Sequence, residues 1–411
     1  MVERTTLHVS RLGLEGDGVV DGPEGPVYVT GALPGELVTI SNGRIEVIER
    51  SSAGRRKVPL CPHVSRCGGC ALPHMSDDVY RRWKAPLLGD ALSAHGIDVT
   101  PSAMLSVPHN ARRRAALTAR RDGRQIELGF YMGRSHEIET IEACAILSVP
   151  IVAALPGLRA LAGFLLAEKG EARVTVIDTP HGLDVDFDGA TVKPGADVSS
   201  AVVAAAANHR IARLSLKGAP ILTRASPALR IAGIEVVPPP GAFLQAAAEA
   251  EQAMQQIVVE ALGKSKRVAD LFCGLGTFSF ACATRSKVLA IDSDRRLIDA
   301  LTAAARKAQG LKPIETRVRD LFHDPLSPRE LEGIDGIDAV VFDPPRAGAK
   351  AQAEALARSK VKTVVAISCN PATLGRDLAI LIAGGYKLKS ITPIDQFLYT
   401  AHIEAVAVLT R

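Results

Sequence analysis

Val268-Ala-Asp-Leu-Phe-Cys-Gly-Leu-Gly-Thr277 is a short apolar strand that breaks into a glycine turn and opens a helix. Gly274 and Gly276 let a nucleotide-like ligand come close to the backbone, because glycine has no side chain to hold it off. Asp270 and Phe272 flank that approach. The next apolar run, Lys287-Val-Leu-Ala-Ile-Asp292, ends on a carboxylate 22 residues past Asp270, near the usual spacing for an acid that takes ribose hydroxyls. About a hundred residues on, Ile367-Ser-Cys-Asn-Pro371 puts a cysteine directly after the strand-like run Val361-Lys-Thr-Val-Val-Ala-Ile367. A nucleoside site and a candidate nucleophile, Cys369, therefore share one edge of one sheet.

Around this stretch the pattern is regular. A helix over about 246–262 precedes strands over about 267–272, 287–291, 314–319, 337–342, 361–368, 388–394 and 403–410, most of them separated by helices. That alternation predicts a doubly wound, Rossmann-like α/β domain over 241–411. Ligands in such sheets bind beyond the carboxyl ends of the strands. Those ends carry Phe272, Asp292, Asp320, Asp343 and Cys369.

The rest of the chain sets the context. A chain of 411 residues is too long for one ordinary core. With 47% hydrophobic and 23% charged residues it reads as globular, not disordered. No apolar run reaches the length of a membrane span, and the start, Met-Val-Glu-Arg-Thr-Thr, has no secretory character, so a cytoplasmic monomer is expected. The net charge of +5 is mild, yet Arg55-Arg-Lys57, Arg81-Arg82, Arg112-Arg-Arg114 and Arg120-Arg121 all fall early in the chain. Together they favour a phosphate-facing surface over an ordinary solvated one.

Residues 7–50 show five short apolar or alternating runs with glycine corners, which predicts a small OB-like β-barrel over 1–55. Next comes Cys61-Pro-His-Val-Ser-Arg-Cys67-Gly-Gly-Cys70, three of the seven cysteines within ten residues. In a cytosolic chain such a group points to metal, not disulfides. Cys144 is the candidate fourth ligand, since Cys273 and Cys369 lie at the sheet edge and Cys282 in an expected helix. Three clustered thiolates and one remote one favour an iron–sulfur cluster over zinc or unligated thiols. His63 and His74 are expected on the surface. Gly129–His136 reads as a hairpin leading to Cys144, Leu158–Glu168 and Ala201–Ala212 as helices, and Ala172–Asp178 and Gly182–Asp188 as strands. This central α+β domain spans 56–240, and Pro238-Pro-Pro-Gly241 marks its end.

The glycine turn lacks the third glycine of a dinucleotide fingerprint. Asp343-Pro-Pro-Arg346 is the kind of segment with which S-adenosylmethionine enzymes present a flipped base to a methyl group. Cys369 narrows the chemistry, because carbon 5 of uracil becomes nucleophilic only after a thiolate adds to carbon 6. A base must then take the carbon 5 proton, and Glu404, at the start of the last strand, suits that role.

Gly241-Ala-Phe-Leu-Gln245, Asp270-x-Phe-Cys-Gly-x-Gly276, Asp343-Pro-Pro-Arg-Ala-Gly348, Ser368-Cys-Asn-Pro-Ala-Thr373 and His402-x-Glu404 closely resemble the RNA uracil-5 methyltransferase family over essentially the whole chain. Gly13-x-x-Gly16-x-Gly18 with Pro34-Gly35 resembles the TRAM domain of RNA-modifying enzymes. The resemblance implies a class I methyltransferase domain in which Cys369 is the nucleophile and Glu404 the base. Gln245, Phe272, Thr277, Asp292, Asp320 and Asp343 would line the S-adenosyl-L-methionine site. The TRAM-like head and Cys61, Cys67, Cys70 and Cys144, as holders of a 4Fe-4S cluster, resemble the branch acting on 23S rRNA, with tRNA as the alternative target. Another adenosyl-dependent methyltransferase, or an RNA-binding protein with an inactive methyltransferase fold, are the rival readings. The sequence departs from the family at Ala246-Ala247, where Val-Asn is usual after the glutamine, and at Ala111-Arg-Arg-Arg114, where Tyr-Arg-Asn-Arg is common. Thr277 and Asp320 stand where asparagines are frequent.

Overall fold

The computed structural model describes residues 5–22, 25–41, 44–64, 66–189, 199–333 and 336–411. Met1–Arg4, part of the start read above as non-secretory, lies outside them. The seven expected C-terminal strands all form: β1 (Arg267–Leu271), β2 (Lys287–Asp292), β3 (Ile314–Val318), β4 (Ala339–Phe342), β5 (Thr363–Ser368), β6 (Lys387–Asp395) and β7 (Glu404–Thr410). Their order is β3-β2-β1-β4-β5-β7-β6, with the two-residue strand Leu105–Ser106 added beside β6. β1 to β5 run parallel and β7 runs antiparallel to both β5 and β6.

Runs such as Ala339-Val-Val-Phe342 are buried on both faces, as helix-covered parallel strands must be. Alternate residues point to opposite cores. Val268, Val341 and Val365 pack beneath the helix Ala248–Leu262 and the helix Arg295–Lys307, while Leu271, Val340 and Val364 pack on the other side against Leu356, Leu374 and Leu378. Leu88 and Leu92 join that second core from the helix Leu87–Ser93. The segment 77–106 thus packs on the C-terminal sheet.

The central residues build a seven-stranded sheet from Arg114–Asp122, Gln125–Tyr131, Ile138–Thr140, Glu171–Thr179, Gly182–Gly189, Ile211–Leu216 and Ala219–Thr223. Its first helix spans Val149–Leu165, not 158–168, because Pro150 sits in the first turn, where a missing N–H costs nothing, and Pro156 is accommodated inside. The second helix stops at Asn208, and Ile211 and Ala212, expected in it, open a buried strand instead.

Among the described residues the N-terminal runs become six strands, not five. Arg11–Leu12 is the addition, pairing with Gly18 and Val19. They form two three-stranded sheets around Val9, Val20, Val29, Ala32 and Val38.

Candidate active site

Because β7 is antiparallel to β5, its first residue lies at the same sheet edge as the last residue of β5; Ser368 pairs with Ala405. Glu404 is thereby set beside Cys369. Asn370 caps the helix Pro371–Ala383, its side chain accepting from the Ala372 amide, so the helix starts immediately after the cysteine.

Glu404 is 3% exposed. Its Oε2 accepts a hydrogen bond of 2.8 Å from Gln396 Nε2, while Oε1 has no partner among the described residues. A buried carboxyl oxygen without a partner costs free energy unless something arrives to use it. Burial pushes the Glu404 carboxyl up to about 8, and the negative charge of Asp343 adds to the rise. Burial likewise raises the Cys369 thiol to about 11, with Glu404 and Asp343 reinforcing and Arg346 opposing it. In the free protein Cys369 is a neutral thiol in a carboxylate-rich corner.

Asp343, pushed up to about 7 by burial, accepts from Gln245 Nε2 at 2.8 Å through Oδ2. Gln396 Nε2 donates to Gln245 Oε1 at 2.9 Å. Asp343, Gln245, Gln396 and Glu404 are therefore one continuous chain of hydrogen bonds. Sequence reasoning missed Gln396. It stands just past the end of Lys387–Asp395, a strand that already carries Lys387, Lys389, Ser390 and Thr392, so no sequence signal sets it apart.

A second group lies over the ends of β1 to β3. Phe272 adopts a left-handed conformation, φ 58°, which is strained for an aromatic residue. Its ring lies 5.4 Å from that of Phe322. Asp292 Oδ2 accepts from the Gly274 amide at 2.9 Å, and Oδ1 from the Asp294 amide at 2.9 Å. A Cβ on Gly274 would meet nothing within 4 Å, whereas one on Gly276 would strike Phe280 at 2.7 Å. The turn is packed below and open above. Asp320 holds the Phe322 amide at 3.0 Å and His323 at 2.9 Å. Thr277 is partly buried in the same turn, its carbonyl accepting from Gln255 Nε2 at 2.9 Å. Asp270, read as flanking the ligand, is instead fully buried beneath the turn, accepting from Ser279 Oγ at 2.5 Å. An open glycine edge, a half-buried aromatic ring and a strand-end carboxylate fit an adenosyl cofactor, and the Glu404 carboxyl with its unpartnered oxygen lies at the same sheet edge.

The Arg112–Arg114 arm corrects its reading as a phosphate-facing surface. Arg113 pairs with Glu251 at 2.6 Å, Arg114 Nε donates to the Ala242 carbonyl at 2.9 Å, and Arg112 Nε donates to the Arg114 carbonyl at 3.0 Å. The arm clamps the segment carrying Gln245. Arg55, Arg56 and Arg120 are likewise paired with Glu36, Asp77 and Glu171, while Arg81 and Arg82 are exposed.

Cys61, Cys67, Cys70 and Cys144 surround one cavity of about 160 Å³. Among the described residues no three His, Cys, Asp or Glu side chains are grouped to hold a single metal ion. A polynuclear cluster differs, because its own iron and sulfide fill the space between thiolates. Burial raises the thiols of Cys67 to about 11 and Cys70 to about 12, and the neighbouring cysteines add to both rises, a repulsion that bound cations would reverse. Backbone amides of His63 and Gly69 point at the sulfurs of Cys61 and Cys67, each at 3.4 Å. Four thiols thus line one cavity. His63 and His74, expected on the surface, are enclosed. His63 bonds Glu139 at 2.8 Å through Nδ1 and the Glu142 amide at 3.1 Å through Nε2, and His74 is 7% exposed.

The model of the tRNA (Uracil-5-)-methyltransferase family matches residues 228–411. Over 99% of both chains, the protein is 43% identical to an uncharacterized RNA methyltransferase of Rhizobium meliloti. It is 30% identical to the 23S rRNA (uracil(1939)-C(5))-methyltransferase of Shewanella halifaxensis, covering 98% of this chain and 95% of that one. The fold matches that of Pyrococcus abyssi tRNA (uracil-54, C5)-methyltransferase, solved with S-adenosyl-L-homocysteine, at a TM-score of 0.75 and 20% identity, covering 98% of this chain and 99% of that one.

Proposed function

The chain belongs to the RNA (uracil-5-)-methyltransferase family, and from that premise we propose that it methylates carbon 5 of a uracil in 23S rRNA through a covalent bond to Cys369. The observation that carries the chemistry is the buried, unpartnered Oε1 of Glu404 beside the Cys369 thiol. N- or O-methylation requires no such pair.

S-adenosyl-L-methionine, when bound, supplies the electrophilic methyl group. Gln245, Phe272, Thr277, Asp292, Asp320 and Asp343 would hold it along the strand ends. Cys369, once its half-buried thiol has passed its proton to water, adds to carbon 6 of a uracil turned out of its stack. That addition makes carbon 5 nucleophilic, so that it takes the methyl group and briefly carries both methyl and proton. Glu404 then takes the carbon 5 proton, and Cys369 leaves carbon 6.

Cys61, Cys67, Cys70 and Cys144 would hold a 4Fe-4S cluster that ties the 61–70 loop to Cys144 and takes no part in methyl transfer. The 5–50 unit would act as a TRAM domain gripping RNA. The ribosomal target is favoured by the near full-length likeness to the Shewanella enzyme together with the four-thiol cavity; tRNA is the second reading.

The test is methyl incorporation and tritium release measured together on 23S rRNA and tRNA labelled at uracil carbon 5. Equal release and methylation on 23S rRNA is expected. Methylation without release would overturn the chemistry, and activity confined to tRNA would overturn the target.

A further inference from the structure

Gln396 follows the last residue of β6, is 2% exposed, and touches both halves of the proposed site. Its Oε1 accepts from the Ala246 amide at 3.1 Å. A backbone amide only donates, so the side-chain atom facing it must be oxygen, and this fixes the orientation of the whole carboxamide. Nε2 is thereby turned toward two acceptors, Gln245 Oε1 at 2.9 Å and Glu404 Oε2 at 2.8 Å. One oxygen of Glu404 is thus already occupied by a donor, and a proton on Oε2 would face another hydrogen. The vacant Oε1 is the atom on which a proton can reside.

We infer that Gln396 is a positioning residue for the proton-removal step: its amide reserves Glu404 Oε1 for the carbon 5 proton and favours the charged carboxylate that accepts it. The inference rests on the reading of Glu404 as the base. In the step concerned, the C5–H bond breaks and its proton passes to Oε1. The electron pair forms the C5–C6 double bond, the C6–Sγ bond breaks, and Cys369 leaves as thiolate.

The groups around Glu404 fix the expected sign. Asp343 at the end of β4 opposes its ionisation, the amide of Gln396 assists it, and Cys369 with the nearby Arg346 completes the surroundings. Removing the amide leaves burial and Asp343 unopposed. The pH at which the base becomes charged must then rise.

The experiment compares the wild type with Gln396→Leu and Gln396→Met, two variants of similar size that both lose the donor, using two RNA substrates. On RNA tritiated at uracil carbon 5, release should fall roughly ten- to a hundredfold at neutral pH, at or below the roughly hundred- to ten-thousandfold that a general base contributes. Its rising limb should move to higher pH in both variants. On 5-fluorouridine RNA, where carbon 5 has no proton to remove, the covalent adduct should form at a rate within about threefold of wild type, because only earlier steps are read. Adduct formation slowed in proportion to release, with the pH limb unmoved, would overturn the proposal and leave Gln396 a packing residue. Glu404→Gln in the same assays separates this outcome from failure of the underlying reading. If that variant releases tritium at the wild-type rate, Glu404 is not the base.

Discussion

Lys84 and Asp395 form an ion pair, Nζ to Oδ1 2.6 Å, in which neither side chain is exposed at all. Tyr80 bonds the other carboxylate oxygen at 2.8 Å and accepts from Lys84 at 2.8 Å. The pair joins the helix Asp77–Lys84, which follows the cysteine loop, to the residue immediately before Gln396. Two further bonds, from the Ala71 and Leu72 amides to the Tyr399 carbonyl, tie the same loop to the segment between β6 and β7. Cysteine site and base are thus attached to one polar latch. Removing one partner leaves the other charge buried and alone, so Lys84→Met should cost about 3–5 kcal/mol in chemical denaturation. Lys84→Met with Asp395→Leu should recover part of that loss. Equal stability of the single variant and wild type would contradict the latch.

As the proposed base, Glu404 should set the pH profile. It must be charged to accept a proton, and its carboxyl lies at about 8 in the free protein. The kcat/KM for RNA should therefore rise with pH through neutrality, reach half its limit near pH 8 and level off about a unit above that, reporting the free enzyme. A thiolate required in the free enzyme would instead make the rate climb toward the Cys369 value of about 11. Cys369→Ala should abolish turnover with cofactor binding retained. Glu404→Gln should accumulate an RNA–protein adduct stable on a denaturing gel.

The sheet was legible because buried parallel strands leave long apolar runs and the glycine turn interrupts the first of them. Strand ends located Phe272, Asp292, Asp320, Asp343 and Cys369 for the same reason. What the sequence concealed was direction. Three consecutive arginines look alike whether they face solvent or, as Arg113 does, a buried glutamate 138 positions away. Leu105–Ser106 is too short to leave a periodic signal. Gln396 reads as one polar residue among many until the antiparallel return of β7 sets Glu404 against it.

Gly68 tests the cysteine site. A Cβ there would lie 2.6 Å from the Tyr131 carbonyl, which its own amide bonds at 3.0 Å. Gly68→Ala should push Cys67 and Cys70 away from Cys144 without removing any thiol. Wild-type protein prepared anaerobically should carry roughly four irons per chain with visible absorption. The variant should carry fewer, while S-adenosyl-L-methionine binding, seated on the far strand ends, stays unchanged. Zinc in place of iron in the wild type would replace the cluster and leave the chemistry at Cys369 untouched.

Asp292 answers for the cofactor. Its two oxygens already take the amides of Gly274 and Asp294, so the carboxylate shapes the turn and still has lone pairs for ribose hydroxyls. Such contacts would be made equally before and during methyl transfer, and uniform binding of this kind appears in KM more than in kcat. Asp292→Ala should weaken cofactor binding by roughly 1.5–3 kcal/mol, the range for a hydrogen bond to a charged group. Asp292→Asn keeps one acceptor oxygen for a turn amide and should lose less. Calorimetry with S-adenosyl-L-homocysteine beside steady-state kinetics separates the cases. A large fall in kcat with KM and affinity unmoved would remove Asp292 from the cofactor site and leave it only a brace for the Gly274 turn.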